Sequence, residues 1–338
     1  MDCSNQYRYF IGVDVSKSEL DFAVVEANQV LFHVEVSNDK KGIQAFFRQL
    51  KDLNQGEIKH SLFCLEHTGI YNNPLLSFLF QKQASVWVEK ATQIRESMGV
   101  SRTKNDKVDA IKIARYAYKN REDVQLWHHK RDVIEQLDRL TAMRKRIVSA
   151  IHMLKVPLNE SAEFVTKKAS RSDTKACTHS LLALQKDLKG VDIAIKQVIK
   201  SDPALHELFE IVTSIKGVGI TVATEVIITT NEFKDITDPK KFACYAGVVP
   251  FEQSSGRKRG KPQVSRIANK KVKALLHLAA LSASRHSEEF QTYFDRKVSE
   301  GKNKMLVLNN IRNKIVLRIF ACVRRGQKYE NFYPSPVV

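Results

Sequence analysis

Four acids in the first third of the chain have the residue types and the setting that a two-metal nuclease gives its ligands. Asp14 lies inside the apolar run Phe10-Ile11-Gly12-Val13-Asp14-Val15. Glu66 ends a second run, Leu62-Phe63-Cys64-Leu65-Glu66. Asp106 and Asp109 stand three apart in Lys104-Asn105-Asp106-Lys107-Val108-Asp109-Ala110. Carboxylates at the ends of buried strands are costly unless something positive pairs with them. Magnesium is the economical partner, because hard cations take oxygen ligands and neutralise clustered acids. The expectation is that Asp14, Glu66, Asp106 and Asp109 hold Mg2+. Acids in a first helical turn also suit the helix dipole, but that explains neither Asp14 nor Glu66.

The elements that must position these acids follow from hydrophobic periodicity. Tyr9–Val15, Glu19–Glu26 and Gln29–Val36 read as three strands in quick succession, the third alternating at Val30, Phe32, Val34 and Val36. Asn38-Asp39 offers a helix cap before Ile43, Phe46, Phe47 and Leu50. Ser61–Glu66 is a fourth strand, Asn73–Gln83 a buried helix and Ser85–Glu89 a fifth strand. Three strands, then helix, strand, helix, strand is the pattern of the ribonuclease-H-like nuclease fold, an α/β layer structure. From Ala91 to Asn120 the chain turns helical, and the (i, i+3) spacing sets Asp106 and Asp109 on one face. Apolar residues then recur at helical spacing from Val133 to Leu154 and from Leu181 to Val198, with an interruption around Pro157–Asp173. Two long helices there predict an antiparallel hairpin or a dimerising coiled coil. The domains are therefore read as 1–125, the catalytic domain; 126–202, a coiled-coil arm; and 203–338, a mainly helical domain.

The net charge of +18 over 338 residues points to a polyanionic partner, with nucleic acid the leading candidate. No apolar run approaches the roughly 18–20 residues of a spanning helix, so no membrane partner is expected. The N-terminus has neither region of a signal peptide. The five cysteines form no metal-binding spacing and read as reduced core filler; the expected location is cytoplasmic, at the nucleoid. Two segments suit phosphate contact. Ile215-Lys216-Gly217-Val218-Gly219-Ile220 resembles a helix-hairpin-helix turn, whose glycines let backbone N–H groups approach a phosphate. After Gly247-Val248-Val249-Pro250 comes a run free of acids between Arg257 and Lys273, holding Arg257, Lys258, Arg259, Lys261, Arg266, Lys270 and Lys271. Clustered cations among small residues suit a loop lying along a nucleic-acid backbone. Lys104, beside the third pair of acids, joins the expected nucleic-acid contacts.

These motifs together resemble the DEDD-type transposases of the insertion-sequence one-ten family, which includes the pilin-gene invertases. Gly12-Val13-Asp14-Val15-Ser16-Lys17 is similar to the first acidic motif, Leu65-Glu66-His67-Thr68-Gly69-Ile70-Tyr71 to the second, and Lys104-Asn105-Asp106-Lys107-Val108-Asp109-Ala110 to the third. The resemblance spans nearly the whole chain. It implies a RuvC-like catalytic domain, a coiled-coil arm and a C-terminal transposase domain with a serine nucleophile. The motif places that serine after a Gly-x-x-Pro turn and directly before a glycine, which selects Ser255, with Ser254 one position away. It further implies strand cutting and exchange through a phosphoserine. A structured bridge RNA would pair with donor and target DNA, and a dimer would assemble to a tetramer. Two other readings share the motifs: a hydrolytic RuvC-like nuclease of the Holliday-junction resolvase type, and a non-catalytic nucleic-acid-binding protein. The early Gly12-x-Asp14 also occurs in actin-like sugar kinases, but a convincing second phosphate-binding glycine loop is missing from the sequence.

Overall fold

The computed structural model describes residues 7–53, 58–98, 105–251, 254–255, 258–259, 263–264 and 268–330. The chain forms two compact units that divide between His129 and Lys130.

The first unit holds strands β1 (Tyr9–Val15), β2 (Glu19–Glu26), β3 (Gln29–Ser37), β4 (Ser61–Glu66) and β5 (Ser85–Glu89). Its helices are α1 (Lys40–Lys51), α2 (Asn73–Gln81), α3 (Ala91–Met98) and α4 (Asp106–Lys119). The strands form one sheet in the order β3-β2-β1-β4-β5. β1, β2 and β3 pair antiparallel, while β1–β4 and β4–β5 are parallel. This is the mixed sheet that the order of strands and helices predicts. Alternation along the strands splits the core in two. Ile11, Val13, Phe22, Phe63 and Leu65 meet α1 and α2, with Phe22 stacked on Phe46 at 3.8 Å. Phe10, Ala23, Leu62 and Cys64 meet Ala110, Ile113, Ala114 and Ala117 of α4. Helices on both faces explain why β1 and β4 read as continuous apolar runs. Asp39 caps α1, its carboxylate accepting from Gly42 N at 2.8 Å. The helical stretch expected over 91–120 is two helices. α4 starts afresh at Asp106, where the Asn105 side chain accepts from Lys107 N at 3.1 Å.

The second unit is mainly helical. It begins with α5 (Asp132–Ser161) and α6 (Lys167–Ser201), which lie side by side as an antiparallel hairpin. Arg144 Nε donates to Asp192 Oδ1 across the pair at 2.7 Å. The interruption expected over Pro157–Asp173 shrinks to 162–166. α5 runs through Pro157, and Thr166 caps α6 by accepting from Ala169 N. A proline removes one helical donor and frees the carbonyl one turn back. That carbonyl belongs to Met153, whose surroundings are open to water: Met153 is 73% exposed. Next come α7 (Pro203–Thr213), α8 (Ile220–Thr230), α9 (Pro239–Tyr245), α10 (Lys270–His286), α11 (Glu288–Ser299) and α12 (Lys304–Arg325). Ile134 and Leu137 of α5, with Ile195, Val198 and Ile199 of α6, share one core with these helices. Arg131 fastens the same junction, donating to Asp202 at 2.7 and 3.0 Å and to Glu232 at 3.0 Å. Among its described residues, the stretch expected as a loop after Pro250 holds short strands: β6 (Pro250–Phe251) pairs with β9 (Gln263–Val264), and β7 (Ser254–Ser255) with β8 (Lys258–Arg259). Among the described residues, no helix is long and apolar enough to cross a membrane.

Candidate active site

The parallel register of β1 and β4 aligns Gly12 with Cys64 and Val13 with Leu65. The next position on each strand sets Asp14 beside Glu66, at the carboxyl ends where open α/β sheets bind ligands. Both stand on the face that α4 covers. α4 lies close because position 12 has no side chain: a Cβ there would sit 2.2 Å from both Ala110 O and Ala114 N. The close approach brings the first turn of α4, with Asp106 and Asp109, within electrostatic reach of Asp14. The N-terminal end of α4 favours negative charge at both positions.

The four expected acids therefore converge electrostatically. Burial pushes the Asp14 carboxyl up to about 6, and the charges of Glu66, Asp106, Asp109 and Asp21 push in the same direction. Burial also raises Glu66; Arg95 opposes the rise and Asp109 adds to it. The end of β4 is pinned from behind. Buried Asn72 donates through Nδ2 to Glu66 O at 2.9 Å, and His67 N donates to Glu89 O at 3.1 Å.

Several residues at this site were not found from sequence. Asp21 lies directly opposite Asp14 in the β1–β2 pair and is buried, hydrogen-bonded at 2.8 Å to His33 Nε2. Glu89 lies opposite Glu66 on β5, accepting from Tyr116 OH at 3.2 Å and from Lys90 N at 2.7 Å. One row across four strands thus reads Asp21, Asp14, Glu66, Glu89. The signal was available in the hairpin: a turn centred on Lys17-Ser18 pairs position 14 with position 21.

The donor set is all hard oxygen, and the Asp14 carboxyl is raised first by burial and then by the neighbouring acids. In kind, the residues fit a divalent ion. As the side chains lie, no three His, Cys, Asp or Glu groups among the described residues converge closely enough to hold one. Asp109 is turned instead to Lys112 Nζ, at 2.7 Å.

In the second unit, Ser255 pairs with Lys258 and Ser254 with Arg259. The ribbon thus places both candidate serines opposite cations in register. Lys104, Arg257, Lys261 and Arg266 lie outside the described residues. Gly217 has φ +90, and a Cβ there would lie 2.4 Å from Ala279 O. Its requirement for glycine is met by packing against α10, whereas the sequence suggested phosphate access. Gly219 has open space and begins α8 with no side-chain cap. Lys270 opens α10 at the surface, and Lys271 Nζ is paired with Glu225 at 2.5 Å.

Two family models match this chain. A DEDD-type transposase model matches residues 11–162, and the model described as Transposase IS116/IS110/IS902 family matches residues 209–295. Together they span more than half of the chain. The chain belongs to the IS110 transposase family. The transposase is thus a DNA-binding enzyme that cuts and rejoins strands, and its DEDD class implies a divalent metal. The pilin gene-inverting protein of Moraxella bovis is 22% identical over 328 residues, covering 95% of this chain and 97% of that protein. The Streptomyces coelicolor protein named insertion element IS110 uncharacterized 43.6 kDa protein is 26% identical over 158 residues, 47% of this chain and 38% of that one. Among solved structures, T. thermophilus RuvC in complex with Holliday junction substrate aligns with 36% of this chain and 100% of its own, at 11% identity and a TM-score of 0.28.

Proposed function

We propose that the transposase exchanges DNA strands through a phosphoserine at Ser255, with Mg2+ held by Asp14, Glu66, Asp106 and Asp109. The observation that carries this reading is the Asp14 carboxyl, raised to about 6 by burial and then by Glu66, Asp106 and Asp109. A protein keeps such mutual repulsion where a cation relieves it. A divalent ion, when bound, neutralises charge developing on the phosphate oxygens. The remaining chemistry belongs to the chain and its substrate. Ser255 Oγ forms a bond to phosphorus as the bond to the leaving DNA oxygen breaks, and that oxygen departs as a hydroxyl with the proton the serine released. A hydroxyl of the partner strand then attacks the phosphoserine and restores Ser255. The link conserves the phosphodiester, so no ATP is consumed. Lys258 and Arg259, on the strand paired with Ser254 and Ser255, suit a role in holding the DNA backbone.

The reading extends to partners. The resemblance to the family implies a structured bridge RNA bound with donor and target DNA, and the net charge of +18 suits polyanionic partners of either kind. Exposed Met143, Met153, Phe164, Leu182 and Ile193 on the hairpin suit self-association, a dimer assembling to a tetramer.

The test is covalent trapping. With a DNA substrate and Mg2+, the wild-type protein should carry a nucleotide on Ser255. Ser255→Ala should lose that adduct and keep DNA binding. An inactive Ser254→Ala beside an active Ser255→Ala would move the nucleophile by one residue. Strand cleavage with no adduct in any variant would assign the attack to water.

A further inference from the structure

A cavity of about 570 Å³ opens in the second unit among α5, α6, α8 and α10. That volume is within the range of pockets that enclose a small ligand. Its lining divides into two parts. Val148, Ile195, Ile220, Ala274 and Leu275 supply apolar lining. Arg144, Lys145, Lys196, Lys270 and Lys271 supply cations, against Asp192 and Glu225.

Both carboxylates are already engaged. Asp192 accepts from Arg144 at 2.7 Å, and Glu225 pairs with Lys271 at 2.5 Å. Lys145, Lys196 and Lys270 form no salt bridge with a carboxylate among the described residues. The first turn of α8 reaches the same space through Ile220 and Thr221, and Gly219 offers its leading N–H groups no side-chain oxygen. A ligand entering here meets both hydrocarbon and positive charge that the two carboxylates do not balance.

A phosphate track alone needs no apolar lining, and an apolar metabolite needs no lysines. Duplex DNA keeps its base faces stacked and presents only phosphates and groove edges to such a lining. The combination suits a flat, weakly polar ring joined to an anion. We propose that this cavity receives one unstacked nucleotide of a nucleic-acid strand, its base against Val148, Ile195 and Leu275 and its phosphate among Lys145, Lys196 and Lys270. The inference rests on the family's action on nucleic acid and is independent of the phosphoserine route.

The test uses the full chain and fluorescence anisotropy with a labelled single-stranded DNA, an RNA of the same sequence and the corresponding duplex. Ala274→Trp fills the cavity without changing charge. It should weaken binding of at least one single strand about tenfold, near the value of one lost base contact, and leave duplex binding within about twofold. The strand that loses more, DNA or RNA, identifies the source of the nucleotide. Lys196→Gln should weaken both forms and flatten the salt dependence. Should Ala274→Trp lower the helical content, Leu275→Trp repeats the test from the neighbouring position. Unchanged single-strand affinity in the filled variants, with loss only in Lys196→Gln, would reduce the cavity to part of a charged surface. Equal losses for single strand and duplex would also overturn the proposal. Adduct formation at Ser255 is read separately, so failure here leaves the strand-exchange reading standing.

Discussion

Removing one negative charge at Asp14 should stabilise the first unit in the absence of divalent metal. The folded Asp14 carboxyl titrates at about 6, above its ordinary value of 3.8. Between those values the folded protein keeps a proton that the unfolded chain has released, so stability falls as pH rises from about 4 to about 6. Above that window the loss is complete. The gap corresponds to about 3 kcal/mol, but Asp14 is only half-buried, and solvent screening cuts this to about 1–2 kcal/mol. Asp14→Asn preserves the shape and removes the charge. In chelator at pH 7.5 it should raise the unfolding midpoint of the first unit by about 3–8 °C. At about pH 3, below the unfolded value of 3.8, Asp14 is protonated in both states and the difference should vanish. Tryptophan fluorescence isolates this unit, because both tryptophans, Trp87 and Trp127, lie in it. Mg2+ should then invert the order, stabilising the wild type by mass action and leaving Asp14→Asn behind. A destabilised Asp14→Asn in chelator, or a difference that ignores pH, would refute the raising of the Asp14 carboxyl by burial and then by its acidic neighbours.

Two further perturbations test the scaffold. Gly12→Ala drives a Cβ to 2.2 Å from the α4 backbone; it should cost about 3 kcal/mol and lower divalent-ion affinity by moving Asp106 and Asp109, with tryptophan fluorescence and metal titration as readouts. Arg312 is buried at 6% exposure, its Nε has no hydrogen-bond partner among the described residues, and its guanidinium meets Asn309 and His277. Desolvation lowers its pKa, and Arg312→Met should raise the chemical-denaturation midpoint of the helical unit, followed by circular dichroism, by about 1 kcal/mol or more. A clear loss would show the guanidinium to be satisfied.

The strands were legible because their alternation is strong. Tyr9–Val15, Glu19–Glu26, Ser61–Glu66 and Ser85–Glu89 fall where periodicity placed them. The convergence of Asp14 with Glu66 was legible because apolar runs ending in acids demand a compensating group. Asp21 was hidden by its neighbours: Leu20, Phe22 and Val24 are apolar, so one acid among them reads as a solvated strand position, and only the pairing with Asp14 reveals the row. The role of Gly12 was also hidden, since a close approach between a strand and a helix leaves no mark in one sequence beyond the glycine itself. Pro157 misled in the opposite direction: a proline near an exposed helix end interrupts the pattern without ending the helix. The cavity among α5, α6, α8 and α10 brings together Lys145, Lys196 and Lys270 from distant segments, a proximity that local spacing does not encode.

The most direct measurement is the binding of Mn2+, a spectroscopic stand-in for Mg2+, followed by electron paramagnetic resonance on the full-length protein at pH 7.5. The wild type should take up the ion, and Asp14→Asn, Glu66→Gln, Asp106→Asn and Asp109→Asn should each weaken uptake while the helical content stays intact. Equal Mn2+ affinity in the wild type and all four variants would contradict a shared carboxylate site at the ends of β1 and β4.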